Sequence, residues 1–431
     1  MKNIFILFSL VFLLVIKVNG DTSLDVISIS KIKLIIEEKE YVWDEKDKIP
    51  EKGEEDITSP FTIISFLNIF PGQKISLLEL EKEVKTAKNR LINSGFFYKV
   101  NVVIIPPREK LDYRTILIKT KEGFLYRFGG GKIYGMFGMD NLDGKRKSFK
   151  VFLGTNPTGI EFIDESFLES HFLMGAKAHC FNIFDSPVAN YQLFKASFLS
   201  GYFIHSDIFL GLDFFLKCMK ILEISSNITP EFLGGLERND IVISPNFSFK
   251  SYEETSLAQF EFNINGRVNF ILPLKESESK ISYIVRGAAK MKFSEEHSVN
   301  LQVSTGGANE TLPYMEKFNL YDTQDISIRG GYNALDLLVD RFLLINTEWR
   351  FCLAKFFVPP FFNTRIEGFI YLDNGWIGKI GEEKYLTNYY DGYGPGIRLL
   401  FDNPVFAYFS FSYGTNLSGQ TRFIFTGTAG F

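Results

Sequence analysis

The chain has 431 residues but few of those on which most catalytic and metal sites depend. Its three cysteines, Cys180, Cys218 and Cys352, lie far apart without a CxxC pair, which argues against a disulfide framework or a zinc ribbon. Its four histidines show no HExxH spacing, and no GxSxG motif occurs. The glycine run 129–131 lacks the Lys-Ser/Thr pair of a phosphate-binding loop. We therefore expect no enzymatic activity, no metal and no cofactor.

An excess of one charge and long apolar runs are also missing. Lys and Arg number 47 against 51 Asp and Glu, a net charge of -4, which argues against a nucleic-acid partner. A mean hydropathy of +0.02 excludes a polytopic helical membrane protein. The one apolar run, Ile4–Ile16, is shorter than a membrane span and is followed by Gly20. It predicts a signal peptide over residues 1–20, with an uncleaved N-terminal anchor as the alternative.

Aromatic residues and glycine are abundant. Aromatic residues make up 16% of the chain, with 46 Phe and 19 Tyr, and there are 35 glycines. This composition favours β-structure. It is compatible with a membrane β-barrel, because alternating strands average to a neutral hydropathy.

Residues 21–122 predict a small α+β domain with the element order β-α-α-β-β. Ser76 and Glu79 form a capping box, and Gly95 gives a helix stop. Four apolar residues at helical spacing are expected to pack on the sheet: Leu80, Val84, Ala87 and Leu91. The predicted elements are a strand at Ile27–Val42, a loop at Trp43–Asp56, a short helix at Ser59–Ile69, a helix at Ser76–Ser94 and strands at Phe97–Ile105 and Tyr113–Lys119.

Residues 123–431 predict an all-β transmembrane barrel. A spanning strand with its connection uses about 19 residues, so this segment predicts about 16 antiparallel strands. In the last strand Phe423, Phe425 and Phe431 share one face, and Arg422 lies on the other. A soluble sandwich would also alternate, but the signal peptide, the terminal aromatic residue and the strand number favour a membrane barrel.

Six motifs, in this order along the chain, resemble those of the BamA/TamA superfamily of outer-membrane assembly proteins, also called the bacterial surface antigen family. They are Asn89–Val102 (NRLINSGFFYKVNV), Asn141–Gly144 (NLDG), Ile328–Tyr332 (IRGGY), Thr347–Arg350 (TEWR), Ile370–Gly375 (IYLDNG) and Tyr393–Arg398 (YGPGIR). The first resembles the helix-to-strand junction of a POTRA domain, and the second resembles the turn after the first barrel strand. The third resembles the tip of a loop that folds into the lumen, and the others resemble the strands that follow it.

Two features depart from the family pattern. An extra glycine precedes Tyr332, and Tyr321–Asp325 replaces the glycine pair that often comes before the loop motif. In addition, only one POTRA-sized domain is visible, where BamA has several and two-partner secretion pores have two. The resemblance therefore leaves the subfamily open.

The resemblance implies a single POTRA-like domain at 21–122 and a barrel at 123–431 with a lumenal loop at about 306–340. It implies an insertase or translocase that captures unfolded outer-membrane polypeptide and inserts it through a lateral seam or pore. The expected location is a bacterial outer membrane, with the domain in the periplasm and the lipid bilayer and periplasmic accessory proteins as partners. The alternatives are a passive channel or surface-exposed barrel, and a plastid or mitochondrial outer-membrane homologue.

The lumenal loop motif comprises Arg329, Gly330, Gly331 and Tyr332. The resemblance suggests that Arg329 pairs with Glu348 and Asp373. The alternation of the strands agrees, because both carboxylates fall on the polar phase. We expect this arginine to fix the loop and shape the lumen.

A lateral seam is expected between the first strand, at about Phe124–Tyr134, and the last strand, at Phe423–Phe431. Glycine has no side chain for cross-strand packing, so the glycine run would weaken the first strand. The alternative is that the glycines only reduce the side-chain bulk of a strand and have no role in function. The predicted seam residues are Gly129, Gly130, Gly131, Phe423, Phe425 and Phe431.

Overall fold

The computed structural model describes residues 26–429 apart from short internal segments. The segments outside the description are 51–57, 107–112, 124–125, 132–133, 184–188, 225–234, 255–257, 275–277, 295, 313–315, 322–326, 333–335, 359–361, 379–385 and 403–406. The predicted signal peptide at 1–20 and the seam residue Phe431 lie outside the described residues.

The N-terminal part forms a five-stranded sheet with two helices. Its elements are β1 (Val26–Ile36), β2 (Lys39–Asp44), α1 (Pro60–Ile64), β3 (Lys74–Ser76), α2 (Leu77–Asn93), β4 (Phe97–Ile105) and β5 (Tyr113–Glu122). The strand order is β2-β1-β5-β4, with β3 paired to the start of β1. Strands β1 and β5 are parallel, and the other pairs are antiparallel. Strands β2 and β4 therefore form edges of the sheet.

Helix α2 begins with the predicted capping box. The Glu79 amide donates to Ser76 Oγ at 3.2 Å, and the Ser76 amide donates to Glu79 Oε2 at 3.3 Å. After the helix ends, Gly95 has a φ of 71°, a conformation that glycine adopts without strain. The predicted core positions Leu80, Val84, Ala87 and Leu91 are all buried. The prediction of this helix and of its packing face is confirmed.

Three predictions for the N-terminal part were wrong in detail. The strand at 27–42 is two antiparallel strands, β1 and β2, joined by a turn in which Glu37 has a φ of 54°. With β3 the sheet has five strands instead of three. The helix expected at Ser59–Ile69 covers only Pro60–Ile64.

The rest of the chain forms a sixteen-stranded antiparallel sheet, the number predicted from its length. Neighbours in the chain are neighbours in the sheet, except that β16 pairs with β19. Strands β17 and β18 form a separate ladder between them. A short 3-10 helix, Phe167–Glu169, lies before β10. The strands are β6 (Tyr126–Gly131), β7 (Tyr134–Leu142), β8 (Lys147–Gly154), β9 (Thr158–Asp164), β10 (Phe172–Ile183), β11 (Ala189–His205), β12 (Ile208–Ile224), β13 (Glu237–Glu254), β14 (Gln259–Pro273), β15 (Lys280–Lys292), β16 (His297–Ala308), β17 (Phe318–Asn319), β18 (Leu338–Val339), β19 (Arg341–Val358), β20 (Phe362–Gly378), β21 (Asn388–Asp402), β22 (Ala407–Thr415) and β23 (Thr421–Ala429).

The first strand of this sheet, β6, differs from the predicted one. The single strand expected at Phe124–Tyr134 was wrong, because β6 ends at Gly131 and Tyr134 begins β7. The Asn141–Gly144 turn therefore follows the second strand, not the first. Strands β6 and β23 lie next to each other, with Cα atoms within 8 Å. Among the described residues, no hydrogen-bonded ladder joins these two strands.

The two faces of the sixteen-stranded sheet have opposite chemistry. One face, the outer face, exposes large apolar side chains, among them Phe198, Phe214, Phe247, Phe270, Trp349, Ile370, Ile397 and Phe411. The other, inner face buries polar residues, among them Asp240, Ser244, Ser304, Glu348, Glu367, Asp373, Arg398 and Ser410. An apolar outside with a polar inside is the pattern of a barrel in lipid and the reverse of a soluble core.

Among the residues that the structure describes, no helix is long and apolar enough to cross a membrane.

Candidate functional site

The loop between β16 and β19, residues 309–340, returns onto the inner face of the sheet; we call it the inner loop. It was predicted at about 306–340, but Gly306 to Ala308 belong to β16. Lys317 Nζ donates to both oxygens of the buried Asp340 at 2.7 and 2.8 Å. An apolar cluster packs the loop against the strands and comprises Leu320, Ile328, Leu337, Val339, Phe342, Leu344 and Ile377.

Arg329, at the centre of the inner loop, contacts two neighbouring strands. Its Nε and Nη2 donate to the two oxygens of Asp373 on β20 at 2.9 and 2.8 Å. Its Nη1 donates to Glu348 Oε2 on β19 at 2.8 Å, and its own amide donates to Asp373 Oδ2 at 2.9 Å. The planar guanidinium thus makes a two-pronged bond to one carboxylate and a third bond to another, which a lysine cannot reproduce.

Both carboxylates are removed from solvent. Asp373 is 0% exposed and Glu348 is 6% exposed. Asn346 Nδ2 also donates to Asp373 Oδ1 at 2.7 Å, and Arg398 Nη2 lies 3.3 Å from Glu348 Oε1, which Arg350 Nε contacts as well. Each buried charge therefore has several partners, the condition under which such charges are tolerated.

Tyr371 on β20 also contacts the tip of the inner loop. Its hydroxyl donates to the Arg329 carbonyl oxygen at 3.1 Å, and its ring lies 3.7 Å from the Arg329 guanidinium carbon. Burial disfavours the charged form of Arg329, but the attraction of Asp373 and Glu348 outweighs it and raises its pKa above the ordinary value. The arginine is therefore a permanent cation at any pH the protein meets.

The two glycines of the motif allow the loop to approach neighbouring backbone. A Cβ at Gly330 would lie 2.5 Å from the Asp391 carbonyl oxygen, and one at Gly331 would lie 2.5 Å from the Thr421 amide nitrogen. Tyr332 donates its hydroxyl to Asp391 Oδ1 at 2.9 Å. Burial raises the pKa of this hydroxyl to about 12, so it remains a donor at neutral pH.

The inner loop also reaches the last strand. The guanidinium carbon of Arg422 on β23 lies 3.4 Å from the Tyr321 ring centroid, and Arg422 Nη1 donates to the Tyr321 carbonyl oxygen at 3.0 Å. Arg329, Tyr332 and Arg422 together connect the loop to β19, β20, β21 and β23. The arrangement fixes the inner loop against the inner face of the sheet.

The predicted seam residues fall at the two ends of the sheet. Gly129, Gly130 and Gly131 lie in β6 and pair with β7. Phe423 and Phe425 lie in β23 and are exposed on the outer face.

The sequence did not reveal how the N-terminal part contacts the large sheet. The Ser59 amide and Thr62 Oγ1 donate to the Gly144 carbonyl oxygen at 2.9 and 2.6 Å. Asn141 Nδ2 donates to Thr58 Oγ1 at 2.8 Å. The Asn141–Gly144 motif therefore joins the two parts of the chain, and its resemblance to a family turn was the only sequence signal for this contact.

A second contact involves helix α2. Arg90 Nε donates to Asp207 Oδ1 at 2.9 Å in the turn between β11 and β12, and Arg90 Nη1 donates to Glu83 Oε1 at 2.7 Å. Nearby, Asn68 Oδ1 accepts from Ser206 Oγ at 2.8 Å. Arg90 and Asp207 are far apart in the sequence, and no local pattern predicted that they would meet.

Comparison with known proteins shows a shared fold. No family profile matches the sequence. No curated protein is significantly similar to it. BamA from Haemophilus ducreyi, in a crystal structure lacking POTRA domains 1-3, aligns with 93% of this chain and 84% of its own at 15% identity and a TM-score of 0.52.

Two other solved structures align over a similar length. CdiB from Escherichia coli covers 94% of this chain and 76% of its own, with 11% identity and a TM-score of 0.55. CdiB from Acinetobacter baumannii covers 93% of this chain and 73% of its own, with 14% identity and a TM-score of 0.52. The chain therefore has the fold of the BamA and CdiB structures.

Proposed function

We propose that this chain is an outer-membrane insertase or translocase of the BamA/TamA type that acts on unfolded polypeptides. The observation that carries the proposal is the inner loop, held by Arg329 against Glu348 and Asp373 on the inner face of a sheet with an apolar outer face. A plain pore also has no reason to carry the N-terminal α+β domain in addition to this loop. The proposal includes no catalytic chemistry.

The N-terminal part is the proposed capture module, a single POTRA-like domain. Its sheet has edges at β2 and β4, and an extended polypeptide can add a strand to such an edge through backbone hydrogen bonds. The contacts of Arg90 and of the Asn141–Gly144 turn support a capture module that is docked on the turns of the large sheet.

The sixteen-stranded sheet is the proposed membrane barrel, closed by contact of β6 with β23. Glycine occupies three of the six described positions of strand β6. Because glycine has no side chain for cross-strand packing, this strand supports a weak seam through which a client strand could leave sideways into the bilayer. We place the barrel in an outer membrane, with the capture domain in the periplasm.

Assisted folding of a client tests this function. The full chain is reconstituted into liposomes, and a urea-denatured outer-membrane barrel is added. We expect the client to acquire protease-resistant, heat-modifiable barrel structure at least about tenfold faster than in liposomes without the protein, because a lateral seam lowers the barrier to insertion.

The control is the same chain with Leu91→Asp, which removes the capture domain and leaves the sheet. The proposal would be overturned if the client folded no faster with either protein than in empty liposomes. A steady ion conductance in the same preparation would then indicate a passive channel.

A further inference from the structure

Two lysines face each other across neighbouring strands of the large sheet. Lys195 of β11 is directly opposite Lys217 of β12 in the ladder. Both lie on the inner face, because the alternating residues Phe194, Phe214 and Leu216 are exposed on the outer face. Like charges directly opposite one another destabilise an antiparallel pair. This part of the sheet therefore has a positive charge that favours an anionic partner.

Arg267 of β14 adds to this positive charge. It acts electrostatically on Lys195, as Lys217 does. Within the described part of the chain, the side chains of Lys195 and Arg267 have no hydrogen-bonded or ion-paired partner. Lys195 Nζ lies 4.5 Å from the ring centroid of Phe215, and Arg267 has only a longer-range attraction to Asp213 and Glu316. We call Lys195, Lys217 and Arg267 the cationic patch.

The charges around the cationic patch are already neutralised in pairs. Lys177 of β10 lies 3.4 Å from Glu161 of β9, its partner in the ladder. On the other side, Arg238 Nε and Asp240 Oδ2 of β13 are 2.6 Å apart. Asp240 is also directly opposite Lys217 in the β12–β13 ladder, so Arg238 and Lys217 share this carboxylate. Among the described residues, Lys195 and Arg267 have no ion-paired carboxylate.

The inner loop supplies a carboxylate that is hydrogen-bonded to the patch. Lys217 Nζ donates to both oxygens of Glu316 at 2.6 and 2.8 Å. The two side chains are only 20% and 10% exposed, so the bond is shielded from water. Glu316 also attracts Lys195 and Arg267 electrostatically. Without Glu316, the described carboxylates that act on the patch would be Asp213, near Lys195 and Arg267, and Asp240, opposite Lys217.

We propose that the cationic patch is a binding site for acidic polypeptide segments and that Glu316 occupies it as an internal competitor. A glutamate or aspartate side chain of a passing polypeptide would take the position of the Glu316 carboxylate. The patch would then hold acidic segments on the inner face only when the inner loop releases it. This inference does not depend on insertase activity, since binding is measured without client or bilayer.

The test measures binding of fluorescein-labelled hexaglutamate by anisotropy to the full chain refolded in uncharged detergent. We expect Glu316→Gln to bind the peptide about tenfold more tightly than the wild type, because a competing ligand is removed. In the Glu316→Gln background, Lys195→Gln with Arg267→Gln should weaken binding at least about tenfold. Binding should disappear at about 1 M salt, where the Debye length is about 3 Å.

Lys290→Gln is the matched control, since Lys290 also lies on this sheet but pairs with Glu261 in a different part of the β14–β15 ladder. Lys290→Gln, made in the Glu316→Gln background, should leave the affinity for hexaglutamate within twofold of that of Glu316→Gln alone. Labelled hexalysine should not bind. Heat-modifiable migration in gel electrophoresis verifies that each variant is folded. If the double variant does not refold, Lys195→Gln and Arg267→Gln are tested separately.

Equal affinity of the wild type and Glu316→Gln would show that Glu316 does not compete. Undiminished hexaglutamate binding after loss of Lys195 and Arg267 would show that the patch is not the site.

Discussion

At the scale of single residues, Arg329 determines the position of the inner loop. Its guanidinium bonds to Asp373, which is 0% exposed, so truncation would leave a buried carboxylate with only part of its partners. Arg329→Ala should cost about 3–5 kcal/mol of loop docking, the range for breaking a buried ion pair. The sixteen-stranded sheet should remain heat-resistant in detergent, because its strand ladders are untouched. Hydrogen exchange of the amides in residues 327–332 would measure the loss of docking.

Arg329→Lys should behave almost like Arg329→Ala, because an ammonium cannot bond to Asp373 in two places and reach Glu348 as well. Arg114→Lys, in β5 of the N-terminal sheet, is the control for replacing an arginine by a lysine elsewhere in the chain. Protection of the loop amides in Arg329→Lys equal to that of the wild type would contradict the role of the planar guanidinium.

Gly331 also limits where the inner loop can lie. A Cβ at this position would collide with the backbone of Gln420 and Thr421. Gly331→Ala should therefore move the loop away from the start of β23 and cost about 1–3 kcal/mol, as overpacking does. Gly287→Ala is the matched control, because a Cβ there meets no atom within 4 Å. Thermal unfolding in detergent compares the two, and equal midpoints would contradict the close approach.

The sequence placed Arg329, Glu348 and Asp373 together through a family motif and through strand alternation. It did not identify Tyr371, Asp391 and Asn346 as further partners of the loop. Tyr371 and Asn346 follow the inner phase of their strands, but alternation alone does not say which inner residues meet a loop that is distant along the chain. Asp391 has the phase of Tyr393 and Ile397, which are exposed on the outer face, so alternation would have placed it away from the loop.

At the scale of elements, helix α2 holds the N-terminal sheet through one apolar face. Leu91 is fully buried in that face, whereas Ile92 beside it is 42% exposed. Leu91→Asp should bury an unpaired charge and cost on the order of 3–5 kcal/mol, enough to unfold a small domain. Trypsin should then degrade the N-terminal part of the full chain and leave the large sheet intact. Ile92→Asp is the control, and equal protease resistance of the two variants would refute this packing.

Elements with a local signal were predictable, and those that depend on the rest of the fold were not. The capping box of α2 lies within four residues, so the sequence contained it completely. The division of residues 27–42 into β1 and β2 was missed because the turn at Glu37 contains no glycine or asparagine, although its φ is 54°. Contacts such as Arg90 with Asp207 form only when the two parts of the chain meet.

The contact between α2 and the large sheet gives another testable difference. Arg90 and Asp207 are 13% and 22% exposed, whereas Lys82 and Glu253 in the neighbouring ion pair are 62% and 50% exposed. Arg90→Ala should weaken docking by about 1–3 kcal/mol, and Lys82→Ala by less than about 1 kcal/mol. Spin labels at Leu78 and Leu168 report the docking. A distance distribution as narrow in Arg90→Ala as in the wild type would contradict this assignment.

At the scale of the whole molecule, the inner loop and the ends of the sheet are connected. Arg422 of β23 bonds to Tyr321 of the inner loop, and Gly331 contacts the start of the same strand. The loop therefore contacts one side of the proposed seam, while β6 on the other side has glycine at three of its six described positions. Since glycine lacks cross-strand packing, β6 contributes little to holding the seam together. Opening at this place should cost less than opening at any ladder of long strands.

Locking the seam should stop client insertion without affecting the fold. After replacement of Cys180, Cys218 and Cys352 by serine, cysteine pairs are introduced between β6 and β23 and oxidised. We expect client folding in liposomes to fall at least about tenfold, because the lateral exit is covalently closed, and to recover on reduction. A disulfide between Ile264→Cys and Gly287→Cys, partners in the β14–β15 ladder, is the control and should leave the rate unchanged. Full activity of the oxidised seam variant would mean that clients do not leave between β6 and β23.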